Sequence, residues 1–533
     1  MACTTLLVGK KASYDGSTMI ARTDDGHFDV KKTIVVDSKL QGKKYKSKIG
    51  HLEIELPENP LRYTASPSVD DKNGIWAATG INELNVGMTA TETITSNPRV
   101  LGADPMVTYK KATKKGEKDI PGGIGEEDIV VLVLPYIKSA REGVIRLGSL
   151  LEKYGTYESN GIAFNDKDEI WWLESIGGHH WIAKRVKDEE YVIMPNQFGL
   201  DNFDFEDAYG KQESNMCSKD LLDFMKKNHL DLNLSENFNP RLAFGSDADS
   251  DHIYNTPRAW YMARYFNRNS IKFDGEDATY TPISNNIPWS FVPDRKITVE
   301  DVKYILSSYY QDTPYNPYLK YESDKRGIYR PIGINRTGVT SICQIRGYMP
   351  KEIQAVEWIT YGSNAFNTCL PIYTNVTKLP KYISNVTLDC DTSNFYWQSR
   401  LIGALADAHF AATSIFVERY QNDTMTANHQ LLNKYDELFA KSNDLSLLEK
   451  ANQEICDTIN KKSIKSLNEV LYQASNKMKN GYSRTDNWKK GDYVDLLQPN
   501  LLFLFSFHLL TFLNIIGHYI LFRESSYHIK KFF

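Results

Sequence analysis

The sequence lacks most of the signatures that announce a particular chemistry. Its six cysteines, at 3, 217, 343, 369, 390 and 456 of 533 residues, form no Cys-x-x-Cys pair, so zinc and dithiol redox motifs are unsupported. Cysteines this scattered read as free thiols of a reducing compartment. The 63 basic and 67 acidic residues nearly cancel, leaving a net charge of −4 with no basic run; that removes the electrostatic footprint of a nucleic-acid binder. Gly122-Gly123-Ile124-Gly125 lacks the Gly-Lys-Ser/Thr that cradles phosphate. Asp247-Ala248-Asp249-Ser250-Asp251 opens like a calcium loop but carries His252 and Arg258 where that loop needs its Gly and Glu. His179-His180 reads as packing or surface histidine. There is no repeat of 20–50 residues, and Lys10 and Lys11 follow too short an apolar run for a signal peptide. A cytoplasmic protein without metal or cofactor is the expectation.

One long uncharged stretch breaks this pattern. Residues 496–522 carry no charged side chain, and 501–522 are mostly apolar, about the 20 residues that span a bilayer. Lys489 and Lys490 precede the run, Arg523, Lys530 and Lys531 follow it, and two His and an Asn interrupt it. A membrane anchor, a buried helix and a non-native terminus all stay open for the tail 481–533. Any membrane contact is expected only there.

What is present begins at Cys3-Thr4-Thr5-Leu6-Leu7-Val8-Gly9. Only Met1 and Ala2 precede the cysteine. Without them, Cys3 would carry a thiol and an α-amine on one residue, a nucleophile with its own base near neutral pH. Tyr14-Asp15-Gly16-Ser17 is a turn signal, so 3–8 and Thr18–Ala21 read as a hairpin. Ala21-Arg22-Thr23-Asp24-Asp25 then puts a guanidinium at hairpin distance from the thiol, where it lowers the thiol pKa.

Further on, 75–79 and 86–93 read as a strand pair, and Glu127–Tyr154 as one helix. Two successive hairpins follow, 161–164 with 170–174 and 181–186 with 191–194. Residues 39–48 read as a Lys-rich solvated loop and 240–400 as irregular. Helices are expected over 401–420, 430–440 and 447–478. Consecutive antiparallel strands with helices elsewhere argue an α+β layered fold, with 3–480 as one unit.

The order of motifs carries a resemblance. Cys-Thr-Thr, the Gly9–Thr18 run and Ala-Arg-x-Asp-Asp are followed by Gly80-Ile81-Asn82-Glu83, Glu169-Ile170-Trp171-Trp172-Leu173-Glu174 and Gly178-His179-His180-Trp181. Then come Met194-Pro195-Asn196-Gln197, Tyr254-Asn255-Thr256-Pro257-Arg258, Asp312-Thr313-Pro314-Tyr315, Tyr329-Arg330-Pro331-Ile332 and Val356-Glu357-Trp358. The series resembles the dipeptidase A-type family of N-terminal nucleophile hydrolases, cousins of penicillin V acylase and bile-salt hydrolase. It covers roughly 3–480 and stops before the apolar run.

The resemblance implies a four-layer αββα sandwich with antiparallel sheets and a C-terminal helical excursion over about 397–479. It also implies a dipeptide substrate, loss of Met1 and Ala2 on maturation, and a thioester acyl-enzyme. Cys3 resembles the nucleophile; Arg22 and Asp25 match its neighbours, with Asp24 the less favoured acid. Asn82 and Asn196 resemble the oxyanion donors, a chemically sensible role for a neutral amide, and Arg258 resembles the further active-site arginine. A homo-oligomer is expected. The alternatives are an acylase cleaving a non-peptide amide and, more distantly, a membrane-anchored binding protein with an inert Cys3.

Overall fold

The computed structural model describes residues 3–478 apart from 28, 235, 236 and 322. Residues 1–2, the tail 481–533 and its apolar segment 501–522 lie outside the described residues, as do the expectations attached to them. The described residues through Ala474 belong to one compact unit. Among the described residues no helix is long and apolar enough to cross a membrane.

The chain starts with the hairpin its turn residues dictate. Asp15 Oδ1 accepts from Ser17 N at 3.0 Å and Ser13 Oγ at 2.9 Å, while Gly16 supplies the positive φ of 83° that a side chain would resist. The strands Thr4–Val8 and Thr18–Asp24 pair antiparallel with Thr4 opposite Thr23 and Thr5 opposite Arg22.

These two strands are central in a seven-stranded sheet. Its order is Ser290–Phe291, Tyr191–Met194, Thr4–Val8, Thr18–Asp24, Val339–Ile345, Ala355–Tyr361, Leu370–Tyr373, antiparallel throughout. The second sheet has eight antiparallel strands in the order Asn215–Cys217, His180–Arg185, Ile170–Ile176, Asn160–Asn165, Gly87–Thr93, Ala77–Asn82, Tyr63–Pro67, Ile34–Val36.

Side-chain alternation sorts the layers. Leu7 and Ile20 join Ala163, Trp172 and Ile182 in the core between the sheets. Leu6, Val8, Met19 and Ala21 point the other way, against the helices Thr256–Phe266 and Val299–Leu306. On the far side of the second sheet, the helices Glu126–Val133 and Ala140–Tyr154 cover Met88, Phe164, Trp171 and Leu173. Strands buried on both faces by period-two alternation thus make the α+β, four-layer αββα sandwich. A Cβ on Gly161 would come within 2.1 Å of the Trp172 ring, so this inner layer closes only over a glycine. The C-terminal excursion is Phe395–Ala408, Phe410–Ser442 and Ser446–Ser475; Phe395, Leu432, Phe439 and Ile455 merge with the helix-side core.

Four local expectations are corrected. His180–Arg185 and Tyr191–Met194 are not a hairpin: the first pairs with Ile170–Ile176 and the second with Thr4–Val8, so the turn 187–190 carries the chain between sheets. The helix expected over 127–154 is two, because Pro135 lacks an amide donor and Ser139 caps a new start, accepting from Glu142 N at 3.2 Å. The segment read as irregular hides three strands within 339–373. The Lys-rich 39–48 includes Lys44–Lys46, which pairs with Glu53–Glu55 as a ribbon whose lysines face glutamates in solvent while Ile54 is buried.

Candidate active site

Alternation along the first strand puts Cys3, Thr5 and Leu7 on the face toward the second sheet. Arg22, directly opposite Thr5, shares that face. Its Nη2 donates to Cys3 Sγ at 2.8 Å and lies 3.4 Å from Glu126 Oε1, while Nη1 donates to the Ala78 carbonyl at 3.4 Å. Glu126 opens the helix Glu126–Val133, whose start is fixed by Asp128 Oδ2 accepting from Gly125 N at 2.9 Å. Cys3 is wholly buried. Burial pushes its thiol up to about 12; Arg22 pulls it down, and Glu92, Asp24 and Asp25 push it further up. Burial works against the charge of Arg22, yet the Cys3 sulfur and Glu126 hold it above its ordinary value.

The second buried arginine grips the chain from the opposite side. Pro257 starts the helix Thr256–Phe266 at the position where proline costs no hydrogen bond, and Arg258 follows it. Arg258 Nη1 donates to the Cys3 carbonyl and, at 2.6 Å, to Thr4 Oγ1; Nη2 donates to Asn196 Oδ1 at 2.8 Å and Asn255 Oδ1 at 2.7 Å. Burial, with Arg330 nearby, pushes Arg258 down to about 9. Asn196 lies two residues beyond Met194, which faces Thr5, so the register carries it beside Cys3. Its Nδ2 donates to the Thr93 carbonyl at 2.9 Å, linking the two sheets beside Cys3.

Acids complete the surroundings. Asp25 Oδ2 accepts from Arg330 and from Thr23 Oγ1 at 3.1 Å, and Oδ1 accepts from Thr337 Oγ1 at 2.7 Å. Thr23 Oγ1 in turn accepts from Thr4 N at 3.0 Å, so Asp25 acts on the nucleophile strand through Thr23. Asp24 Oδ2 meets Lys31 Nζ at 2.6 Å, both buried. Burial would raise the Asp24 carboxyl, but Lys31 and Arg22 hold it below the usual range. Glu92 Oε2 accepts from Thr5 Oγ1 at 2.7 Å, and burial pushes this carboxyl up to about 7 despite Arg22 and Arg258.

The structure therefore brings together Cys3, Arg22, Asn196 and Arg258, with Asp25 linked through Thr23 to the backbone of Thr4. Asn82 is elsewhere, which corrects the oxyanion expectation for it. Its Nδ2 donates to the carbonyls of Leu134 at 3.0 Å and Ile137 at 2.8 Å, and its Oδ1 accepts from Leu84 N at 3.0 Å and Val86 N at 3.1 Å. Both amide hydrogens are spent on those two carbonyls. Asn82 also stands four residues along its strand from Ala78, about 13 Å away. Sequence reasoning missed Glu92, Glu126 and the structural parts of Asn255, Thr4 and Thr23. A lone carboxylate in the β-prone run Thr89-Ala90-Thr91-Glu92-Thr93 was the available signal for the first. Among the described residues no group of three or more His, Cys, Asp or Glu is placed to hold a metal ion.

The pattern of Peptidase family C69 matches residues 2–423. The chain belongs to peptidase family C69. This C69 chain is 50% identical to a dipeptidase of Bifidobacterium longum (strain NCC 2705), covering 91% of this chain and 100% of the relative. The same identity and coverage hold for a probable dipeptidase A of Streptococcus pyogenes serotype M3 (strain SSI-1). Dipeptidase A of Lactobacillus helveticus is 42% identical over 91% of this chain and 99% of its own. A crystal structure of the C2A mutant of conjugated bile acid hydrolase from Clostridium perfringens aligns over 68% of this chain and 89% of that one. At 11% identity and a TM-score of 0.26, that likeness is too remote to bear on the fold.

Proposed function

We propose that this C69 peptidase is a dipeptidase whose nucleophile is the Cys3 sulfur. The observation that carries the proposal is the contact of Arg22 Nη2 with Cys3 Sγ, at 2.8 Å between the two sheets. A buried guanidinium in that position stabilises the thiolate and aims it. The thiol, pushed up to about 12 by burial, stays protonated at neutral pH unless a base acts at the sulfur. In our reading that base is the α-amine of Cys3 itself, exposed once Met1 and Ala2 are removed.

Sγ then attacks the scissile carbonyl, and the Asn196 amide, steadied by Arg258, faces the developing oxyanion. The amine proton passes to the departing amino acid, leaving a thioester, and water attacks the thioester to return the thiol. Asp25, through Thr23, fixes the strand that presents the nucleophile. The dipeptidase names borne by relatives at 42–50% identity over nearly their whole length support the choice of substrate.

The test is turnover of a dipeptide panel against penicillin V and conjugated bile salts. Dipeptides are expected to be cleaved in the presence of a chelator and spared after iodoacetamide. Cleavage of the acyl amides alone would replace the dipeptidase reading by the acylase one. Intact-mass analysis of the active enzyme is expected to show Cys3 as its first residue; full activity with Ala2 still attached would remove the α-amine from the mechanism.

A further inference from the structure

We propose that Asp24 seats the free α-ammonium of the substrate and so restricts the enzyme to peptides with an unblocked amino terminus. The inference rests on the dipeptidase reading and deepens it.

Cys3 is flanked on both sides by the strands that pair with its own. The register that sets Thr5 against Met194 runs on to Asn196 on one side; the register that sets Thr4 against Thr23 runs on to Asp24 on the other. Residues directly opposed across antiparallel strands hold their Cβ atoms about 5 Å apart on one face. The Asp24 carboxylate therefore shares the face of Cys3 Sγ, and its charge is felt at the thiol. One oxygen is occupied, Oδ2 on Lys31 at 2.6 Å. The other, Oδ1, is buried and has no hydrogen-bond partner among the described residues. A bare oxygen on a buried carboxylate is costly to keep, and a cationic donor is the group that best relieves it.

Peptide geometry brings such a donor to this place. The α-nitrogen is two bonds from the carbonyl carbon, about 2.5 Å, so once Sγ meets the carbonyl the ammonium lies within about 5 Å of the sulfur. The other carboxylates near the sulfur are differently engaged. Glu126 lies 3.4 Å from the guanidinium of Arg22, and Glu92 Oε2 accepts from Thr5 Oγ1. The seat also answers why a thiol nucleophile is ringed by acids that hold its proton on: a substrate cation beside Asp24 offsets their field when it binds. An N-acylated peptide brings no cation and adds bulk where the carboxylate stands.

The experiment compares kcat/KM for alanyl-alanine, N-acetyl-alanyl-alanine and lactyl-alanine, in which a hydroxyl replaces the ammonium. Wild type is expected to favour the free dipeptide over both by about 100-fold. Asp24→Asn is expected to lower kcat/KM on the free dipeptide by about 10- to 100-fold, chiefly through KM, and to affect lactyl-alanine far less. The preference therefore collapses. Because Asp24→Asn strands a buried Lys31, Asp24→Asn/Lys31→Met is measured alongside, with the same collapse expected. A parallel fall on all substrates, or a retained preference in either variant, would overturn the assignment. Wild type that cleaves no dipeptide at all would overturn the dipeptidase reading, and this one with it.

Discussion

The space around Cys3 and the C-terminal helices bury polar groups in opposite ways. Around Cys3, on both faces of its strand, Arg22, Asp24, Asp25, Glu92 and Arg258 are all charged or titratable and all buried. In the helices the buried polar groups are neutral, and Asn428 and Asn452 among them are tied to backbone. Asn428 Nδ2 donates to the Cys369 carbonyl at 2.8 Å, and Asn452 both accepts from Tyr373 N at 2.8 Å and donates to its carbonyl at 3.0 Å. Around them sit Leu432, Tyr435, Phe439, Leu448 and Ile455. Burying ions costs several kcal/mol each before pairing, whereas burying a leucine or phenylalanine side chain contributes about 2–3 kcal/mol. The helices hold the fold together. The space around Cys3 spends stability to hold charges where a reaction can use them.

The first way to break this comparison is at the two asparagines. Asn196→Ala removes the amide that we propose faces the oxyanion and is expected to cost about 10²–10³-fold in kcat, with folding intact by circular dichroism. Asn82→Ala breaks two hydrogen bonds within its turn and two to the carbonyls of Leu134 and Ile137. It should lower the thermal midpoint while kcat of the folded enzyme stays near wild type. Equal losses of kcat in both would erase the distinction drawn between them.

A core substitution in the helices should do the reverse. Leu448→Ala, at a fully buried position, is expected to cost about 2–5 kcal/mol in unfolding free energy, read by denaturant titration. The surviving folded enzyme should turn over as wild type. A matching fall in kcat would mean that the helices take part in the site.

The smallest effect expected is a pH dependence of stability. Glu174 Oε1 accepts from Gly199 N at 2.7 Å, Trp172 Nε1 at 3.0 Å and Leu200 N at 3.3 Å, bracing the segment that follows Asn196. Burial nonetheless pushes its carboxyl up to about 7. A carboxyl whose pKa rises on folding contributes its stability fully below its unfolded pKa, near 4.3. That contribution is lost as pH rises through 7. Stability should fall by on the order of 2 kcal/mol between pH 5 and pH 8 from this group. Glu174→Gln, which keeps the acceptor oxygen, should flatten that slope, and an unaltered slope would remove Glu174 as its source.

The comparison also explains what could be read in advance. The Cys3–Arg22 meeting was legible because one local turn sets the hairpin register and period-two alternation does the rest. The layered class was legible from the run of antiparallel pairs. Asn82 misled because an asparagine capping a turn and one facing an oxyanion look alike in a string; only the carbonyls of Leu134 and Ile137, more than fifty residues away, separate them. The crossing at 187–190 and the strands of 339–373 escaped for the same reason. Tyr191–Met194 and Val339–Ile345 pair with Thr4–Val8 and Thr18–Asp24, distant in sequence, and Ala355–Tyr361 and Leu370–Tyr373 extend the sheet from there; pairing between distant strands leaves no local period. Asp24 and Asp25 differ by one position, and alternation gives them opposite faces, which becomes decisive only once the register is known.

Dipeptide turnover by Cys3→Ala tests the central claim most directly. The substitution empties the position that Arg22 addresses and leaves the second buried arginine and both sheets in place. The account predicts a folded protein, with a thermal midpoint close to wild type, that no longer cleaves dipeptides. A Cys3→Ala enzyme that kept measurable dipeptide turnover would contradict it.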